Sequence, residues 1–171
     1  MNHTPAVLIS EVGPRDGLQS VKAVMSTADK FRWIDALVAS GLREIEVCSF
    51  VPAKYLPQMA DAADVVRHLL TYQGVAVMAL VPNMRGAESA LRAGVHKITI
   101  PVSASAAHSL ANVRKTREDM VEEARAICQL RADTAPHVVV EVGMSTAFGC
   151  TLQGEVAEDD VVWLANELVA A

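Results

Sequence analysis

Five short runs of apolar, largely β-branched residues recur along the chain, at residues 7–12, 44–50, 75–81, 97–102 and 137–143. Each is followed by a longer segment whose apolar residues repeat at helical spacing. Strands that are apolar on nearly every residue are buried on both faces, which is the habit of parallel sheets covered by helices. A strand that is followed each time by a helix rejoins the sheet through a right-handed crossover. The pattern predicts an α/β fold of five β/α units. Helices are expected at 27–40, 59–70, 85–93, 117–133 and 157–169. The first presents Phe31, Ile34, Leu37 and Val38 on one face, with Ser26-Thr27 to cap it and Gly41 to end it; Gly94 closes the third.

With 171 residues, 51% of them hydrophobic, the chain can bury a sizeable core. Aromatic residues make up only 4%, so Val, Ala, Leu and Ile must fill it. There is no composition shift, low-complexity segment or linker, and residues 1–171 are expected to form a single domain. Two architectures fit five such units. One is an open doubly wound sheet, complete at five strands. The other is a (β/α)8 TIM barrel, which takes about 250 residues, so that this chain would supply its first five units. No G-x-G-x-x-G follows the first strand and no phosphate loop occurs anywhere. Polar residues gather instead after several different strands, as barrel enzymes arrange them. Periodicity alone leaves both architectures open.

The net charge is −5, and no block of lysine and arginine stands out, which argues against nucleic acid or an anionic membrane surface as partner. Cys48, Cys128 and Cys150 are odd in number and widely spaced, without C-x-x-C, which fits neither a disulfide framework nor a zinc cluster. No apolar run reaches membrane-spanning length, and M-N-H-T-P does not resemble a leader. The expected setting is soluble and cytoplasmic.

The sharpest local signal is E-V-G-P-R-D-G-L-Q, residues 11–19. Asp16 can offer oxygen to a hard divalent cation, and the permanently charged Arg15 can hold an anionic substrate oxygen. Gly13 and Gly17 would let the backbone turn and approach a ligand, and Pro14 stiffens the turn. A lone Arg-Asp pair is more commonly a surface turn. Glu46 interrupts an apolar strand and is expected to point to the interior, where a charge must be paired or functional. Arg15 is its natural ion-pair partner. Ser145 and Thr146 could bind a carboxylate or thioester oxygen, although capping is the common use of such hydroxyls. His108, in a Ser/Ala segment, reads as a solvated residue or a cap. Cys150 reads as a small buried residue. His3, His68, His96 and His137 show no metal-ligand spacing.

The same stretch resembles the first-strand signature of 3-hydroxy-3-methylglutaryl-CoA (HMG-CoA) lyases, members of a metal-dependent lyase and synthase superfamily. The likeness continues in register through I-E-V-C-S-F-V-P-A-K-Y-L-P-Q-M-A-D, L-V-P-N-M-R-G, S-A-S-A-A-H-S-L-A-N-V and M-S-T-A-F-G-C. It implies a TIM barrel and a retro-Claisen cleavage of HMG-CoA to acetyl-CoA and acetoacetate, with Mg²⁺ or Mn²⁺ as cofactor. Asp16 matches the metal-binding aspartate, Arg15 the arginine that stabilises the enolate oxygen, Glu46 a catalytic carboxylate and Gln19 the glutamine closing the motif. The substrate partner implied is an acyl-CoA, and family members are often homodimers. The family's remaining ligands, an H-x-H pair and an asparagine, and its G-G-C-P loop are not found in these residues. C-T-L-Q-G-E-V stands where the family usually has C-P-[FY]-E-G-[KR]-V, with Thr151 and Gln153 as departures. About three units of the barrel are therefore expected to be missing, leaving unpaired strand edges and little or no lyase activity in the 171 residues alone. A related lyase acting on another 3-hydroxyacyl-CoA, or a non-catalytic fragment, are the alternatives.

Overall fold

The computed structural model describes residues 7–171; Ala6 and His3 lie outside them. Five strands, β1 (Ser10–Glu11), β2 (Glu44–Ser49), β3 (Ala76–Leu80), β4 (Lys97–Ser103) and β5 (Val139–Ser145), form one sheet in the order β1-β2-β3-β4-β5, with all neighbours parallel. Sequential order is the decisive observation. A doubly wound sheet reverses its strand order at a switch point and carries helices on both faces. Here each strand is laid beside the one before it, which is how a barrel wall is built. The chain is a half-barrel of five parallel strands with helices along its outside.

Those helices are α1 (Thr27–Ala39), α2 (Ala62–Leu69), α3 (Met84–Ala93), α4 (Ala106–Val113), α5 (Arg117–Thr134) and α6 (Glu158–Ala170). Their starts follow from local chemistry. The Ser26 hydroxyl accepts from the Asp29 N–H, Asn83 Oδ1 from Gly86 and the Ser105 hydroxyl from His108, while Thr116 and Asp119 make a reciprocal capping box. Gly94 ends α3 at φ 89°, a left-handed conformation that favours glycine. The outward residues of the central strands, among them Ile45, Val77, Ile98 and Ile100, are fully buried against Ile34, Val66, Leu69, Met120 and Ile127 of the helices. No helix among the described residues is long and apolar enough to cross a membrane.

Four expectations need correction. The first strand, expected buried over 7–12, is confined to Ser10–Glu11, and Val7, Leu8 and Ile9 precede it, outside the strand pairing, and are exposed. The fifth strand is not buried on both faces. Val140, Val142 and Met144 pack on the core, whereas Val139 and Glu141 face the open concave side, since β5 ends the sheet on the other flank. An unexpected helix, α4, fills the segment after β4, where Ser and Ala give no apolar period. The expected helix at 59–70 also divides into a 3-10 turn, Pro57–Met59, and α2.

Candidate functional site

The carboxyl ends of the strands surround a cleft of about 1140 Å³ lined by residues of several units, including Arg15, Asp16, Gln19, Asn83, Thr99, His108 and Ser145. The chain enters it through a π-helical turn, Gly13–Gly17, in which Asp16 N–H donates to Val12 O at 2.7 Å. A side chain at Gly13 would crowd the Glu11 carboxylate and the Trp33 ring. The Gly13 N–H donates to Glu11 Oε1 at 2.6 Å, and a Cβ would lie 2.7 Å from that oxygen and 3.2 Å from the Trp33 ring. Gly17 meets nothing within 4 Å and has no left-handed φ, so no contact within the protein requires glycine there.

The turn packs on β2, which brings Arg15 to Glu46. Nε and Nη2 of Arg15 both lie 2.6 Å from Glu46 Oε2, and Nη1 lies 2.7 Å from Asp16 Oδ1. Gln19 Nε2 donates to the same Asp16 oxygen at 3.3 Å, and the Ser20 hydroxyl donates to Asp16 O. Burial is graded along this chain: side-chain exposure is 2% for Glu46, 14% for Arg15 and 57% for Asp16. Three of the five guanidinium N–H groups are used by carboxylates, leaving two. Glu46 Oε1 is buried without a partner. The ion pair anticipated between Arg15 and Glu46 is present, and Asp16 and Gln19 join it.

Ser145 belongs to a separate group on the far wall. Its Oγ is 3.2 Å from Ser103 Oγ, which is 2.7 Å from His108 Nδ1. His108 therefore does more than the solvated or capping role its sequence context suggests. Thr146 adopts φ 59°, and its hydroxyl donates to Ser145 O and accepts from Ser105 N–H at 3.0 Å, which commits it to shaping the loop. Gln153, one of the sequence departures, accepts from Ser105 Oγ and Ala107 N–H, so it ties the loop after β5 to the start of α4. Cys150 is half-buried and is not part of the cleft lining. Its thiol is held below the ordinary range, chiefly by the Ser105 hydroxyl and further by the Leu152 and Gln153 N–H groups, against the opposing effect of burial. Burial pushes the Cys48 thiol far up. Ser103, His108 and Gln153 are the residues whose roles the sequence did not reveal; the one available signal was the return of Ser and His at the ends of adjacent strands.

A hard divalent cation takes about six oxygen ligands. Among the described residues no three or more His, Cys, Asp or Glu side chains are grouped to hold a metal. Asp16 can supply one ligand, and the residues present do not make a cation site by themselves.

Parallel strands laid in sequence, with charged and hydroxyl side chains converging at their carboxyl ends, define a TIM-barrel type of α/β protein. The HMGL-like pattern matches residues 6–171, and the chain belongs to that family. It is 41% identical over 168 residues to the 3-hydroxy-3-isohexenylglutaryl-CoA/hydroxy-methylglutaryl-CoA lyase of Pseudomonas aeruginosa, covering 98% of this chain and 55% of that protein. The hydroxymethylglutaryl-CoA lyase YngG of Bacillus subtilis is 37% identical, over 98% of this chain and 56% of its own. The crystal structure of a P. aeruginosa hydroxymethylglutaryl-CoA lyase superimposes with a TM-score of 0.88 at 39% identity, over 96% of this chain and 54% of that one. An HMG-CoA lyase of Acinetobacter baumannii, in complex with coenzyme A and 3-methylmalate, gives 0.88 at 29% identity, over 95% of this chain and 52% of that one. The chain spans about half the length of the relatives it matches.

Proposed function

We propose that residues 1–171 form one domain, an incomplete barrel, that carries part of the active site of a carbon–carbon lyase acting on HMG-CoA. The observation that carries this reading is Arg15, held rigidly by Glu46 and Asp16 at a strand end, with two N–H groups unspent. In the retro-Claisen cleavage the C3 hydroxyl loses its proton and the C3–O bond becomes a carbonyl. The C2–C3 bond breaks, and its electrons pass to the thioester as an enolate, which then takes a proton at C2. Negative charge thus appears on the thioester oxygen only as the bond breaks. A guanidinium fixed beforehand stabilises that charge more than it stabilises the ground state. Glu46 orients Arg15, Gln19 orients Asp16, and Ser145 meets the substrate's free carboxylate while Thr146 fixes the loop behind it. Mg²⁺ or Mn²⁺, with Asp16 as one ligand, belongs to the same reading, as do an acyl-CoA partner, a homodimer and a cytoplasmic setting; the role given to Arg15 depends on none of them.

Calorimetric titration with HMG-CoA and a coupled acetoacetate assay test the proposal. The 171-residue chain is expected to bind the thioester in its cleft without turnover at an ordinary enzyme rate. In a barrel completed by the missing units, Arg15→Met is expected to lower kcat by about 100-fold or more, the usual cost of losing an oxyanion donor. Absence of binding, or an Arg15→Met variant that turns over normally, overturns the reading. A second substrate within the class is favoured by one specific observation: the P. aeruginosa relative is named for two glutaryl-CoA substrates that differ in the group on C3. A screen of 3-hydroxyacyl-CoA thioesters separates the two.

A further inference from the structure

The far wall of the cleft is built as a relay of three groups that the Arg15 cluster does not touch. Ser103, the last residue of β4, is 3% exposed, and the register pairs it with Ser145, the last residue of β5, on the concave face. His108 lies on the first turn of α4, and both His108 and Ser145 line the cleft. The two links, 2.7 Å from Ser103 Oγ to His108 Nδ1 and 3.2 Å from Ser103 Oγ to Ser145 Oγ, join an imidazole to a hydroxyl at the cleft through a buried hydroxyl.

A hydroxyl carries one proton, so the relay has two self-consistent orders. When Nδ1 is bare, Ser103 donates to it and Ser145 donates to Ser103. Ser145 then shows the cleft only lone pairs. When Nδ1 carries a proton, it donates to Ser103, Ser103 donates to Ser145, and the Ser145 proton is free to point at a ligand or at Val102 O, 3.4 Å away. The first order repels a carboxylate and the second receives one. The proton on Nδ1 comes from a tautomer change, with Nε2–H passing to solvent, or from uptake of one solvent proton. The other charged groups lining the cleft are Arg15, Asp16, Arg114 and Lys115, the last paired with Glu123, so the surroundings favour an anion.

We infer that His108 is a positioning residue that acts through Ser103 to set the polarity of the Ser145 hydroxyl, and that the wall formed by these three residues selects substrates carrying a free carboxylate. The inference deepens the lyase reading and rests on it for the identity of the substrate, but the relay is measurable without the thioester. The probe is 3-hydroxy-3-methylglutarate, added to the full chain labelled with ¹⁵N-histidine, with His108 assigned from a His108→Gln variant. Long-range ¹H–¹⁵N spectra report which ring nitrogen carries the proton.

Saturation with the probe is expected to move His108 Nδ1 to its protonated signature. Ser103→Ala is expected to abolish that change and to weaken binding about tenfold, the size of one lost hydrogen bond to a charged group, while HMG-CoA binding remains dependent on Arg15. A serine that only held the imidazole in place would, when removed, shift the probe-free signal of His108 but leave its response to the probe intact. Probe binding with an unmoved His108 signal, a Ser103→Ala protein that responds like the wild type, or no binding of the probe overturns the relay. If HMG-CoA still binds through Arg15 in those cases, the lyase reading stands without it. If the relay responds but HMG-CoA does not bind, the lyase reading fails and the carboxylate wall remains.

Discussion

The two faces of the sheet obey different rules. On β4, Ile98, Ile100 and Val102 point outward and are 0%, 0% and 1% exposed, all apolar and all against helices. Their neighbours Lys97, Thr99, Pro101 and Ser103 point to the concave side and are mostly polar. The outer face is held by area removed from water, which is non-directional and tolerant of which aliphatic residue supplies it. The inner face is held by specific partners: Arg15 with Glu46, Lys97 with Glu44 and Glu141, Ser103 with His108 and Ser145. The difference teaches where stability and chemistry reside, one residue apart along the same strand.

The comparison breaks most visibly on the outer face. Ile98→Ala removes a fully buried side chain and leaves a cavity, and is expected to lower unfolding stability by about 2–5 kcal/mol in urea titration. A loss below about 1 kcal/mol would show that the helix layer is loosely packed over β4. On the inner face, Glu46→Leu removes the buried partner of Arg15 and leaves a largely buried guanidinium with only Asp16. The expected loss is about 3 kcal/mol, at the low end for a broken buried pair because Arg15 retains one carboxylate. The same variant should weaken HMG-CoA binding, whereas Ile98→Ala should leave it unchanged in the folded fraction. A Glu46→Leu protein as stable as the wild type would mean that the pair contributes nothing to the fold.

A smaller effect lies at the amino ends of the strands. Burial works against the charged form of Lys97, yet its hydrogen bonds to Glu141 and Glu44 outweigh burial and hold its pKa above the ordinary lysine value. The folded state therefore binds this proton more tightly than the unfolded chain. The resulting stabilisation is fully present below about pH 10.4, the unfolded value, and is lost as pH rises through the higher folded one. Stability measured from pH 9 upward should fall more steeply for the wild type than for Lys97→Met. Parallel slopes would remove Lys97 from the account.

How much of this could be read from the sequence follows the same division. The outer face was legible because hydrophobic period is a local property: Ile34, Val66 and Ile127 announce their faces within one turn. The ends of the sheet were not. Val7, Leu8 and Ile9 look as buried as Ile98 in the sequence, yet they precede β1, outside the strand pairing, and are exposed. Arg15, Asp16 and Glu46 were legible as a group because a charge inside an apolar strand needs a partner. The Ser103–His108–Ser145 relay was not, because it joins residues 42 positions apart whose types are ordinary in turns and caps. The α4 helix that carries His108 lacks the apolar repeat that marks the others, so its position became visible only in three dimensions.

The smallest expected effect is the most discriminating between the faces. Thr99 stands between Ile98 and Ile100, faces the cleft, and buries an Oγ1 that has no hydrogen-bond partner. In the unfolded chain that hydroxyl is hydrated, so folding pays for stripping it. Valine keeps the branched shape suited to a strand and removes the stranded group. Thr99→Val is therefore expected to leave unfolding stability unchanged or raise it by up to about 1 kcal/mol. A loss of that size would show that Oγ1 has a partner in solution and that the inner face is satisfied throughout. If stability holds while binding of 3-hydroxy-3-methylglutarate weakens, the unsatisfied hydroxyl is kept for the ligand, and the concave face carries a cost in the free protein that the outer face never does.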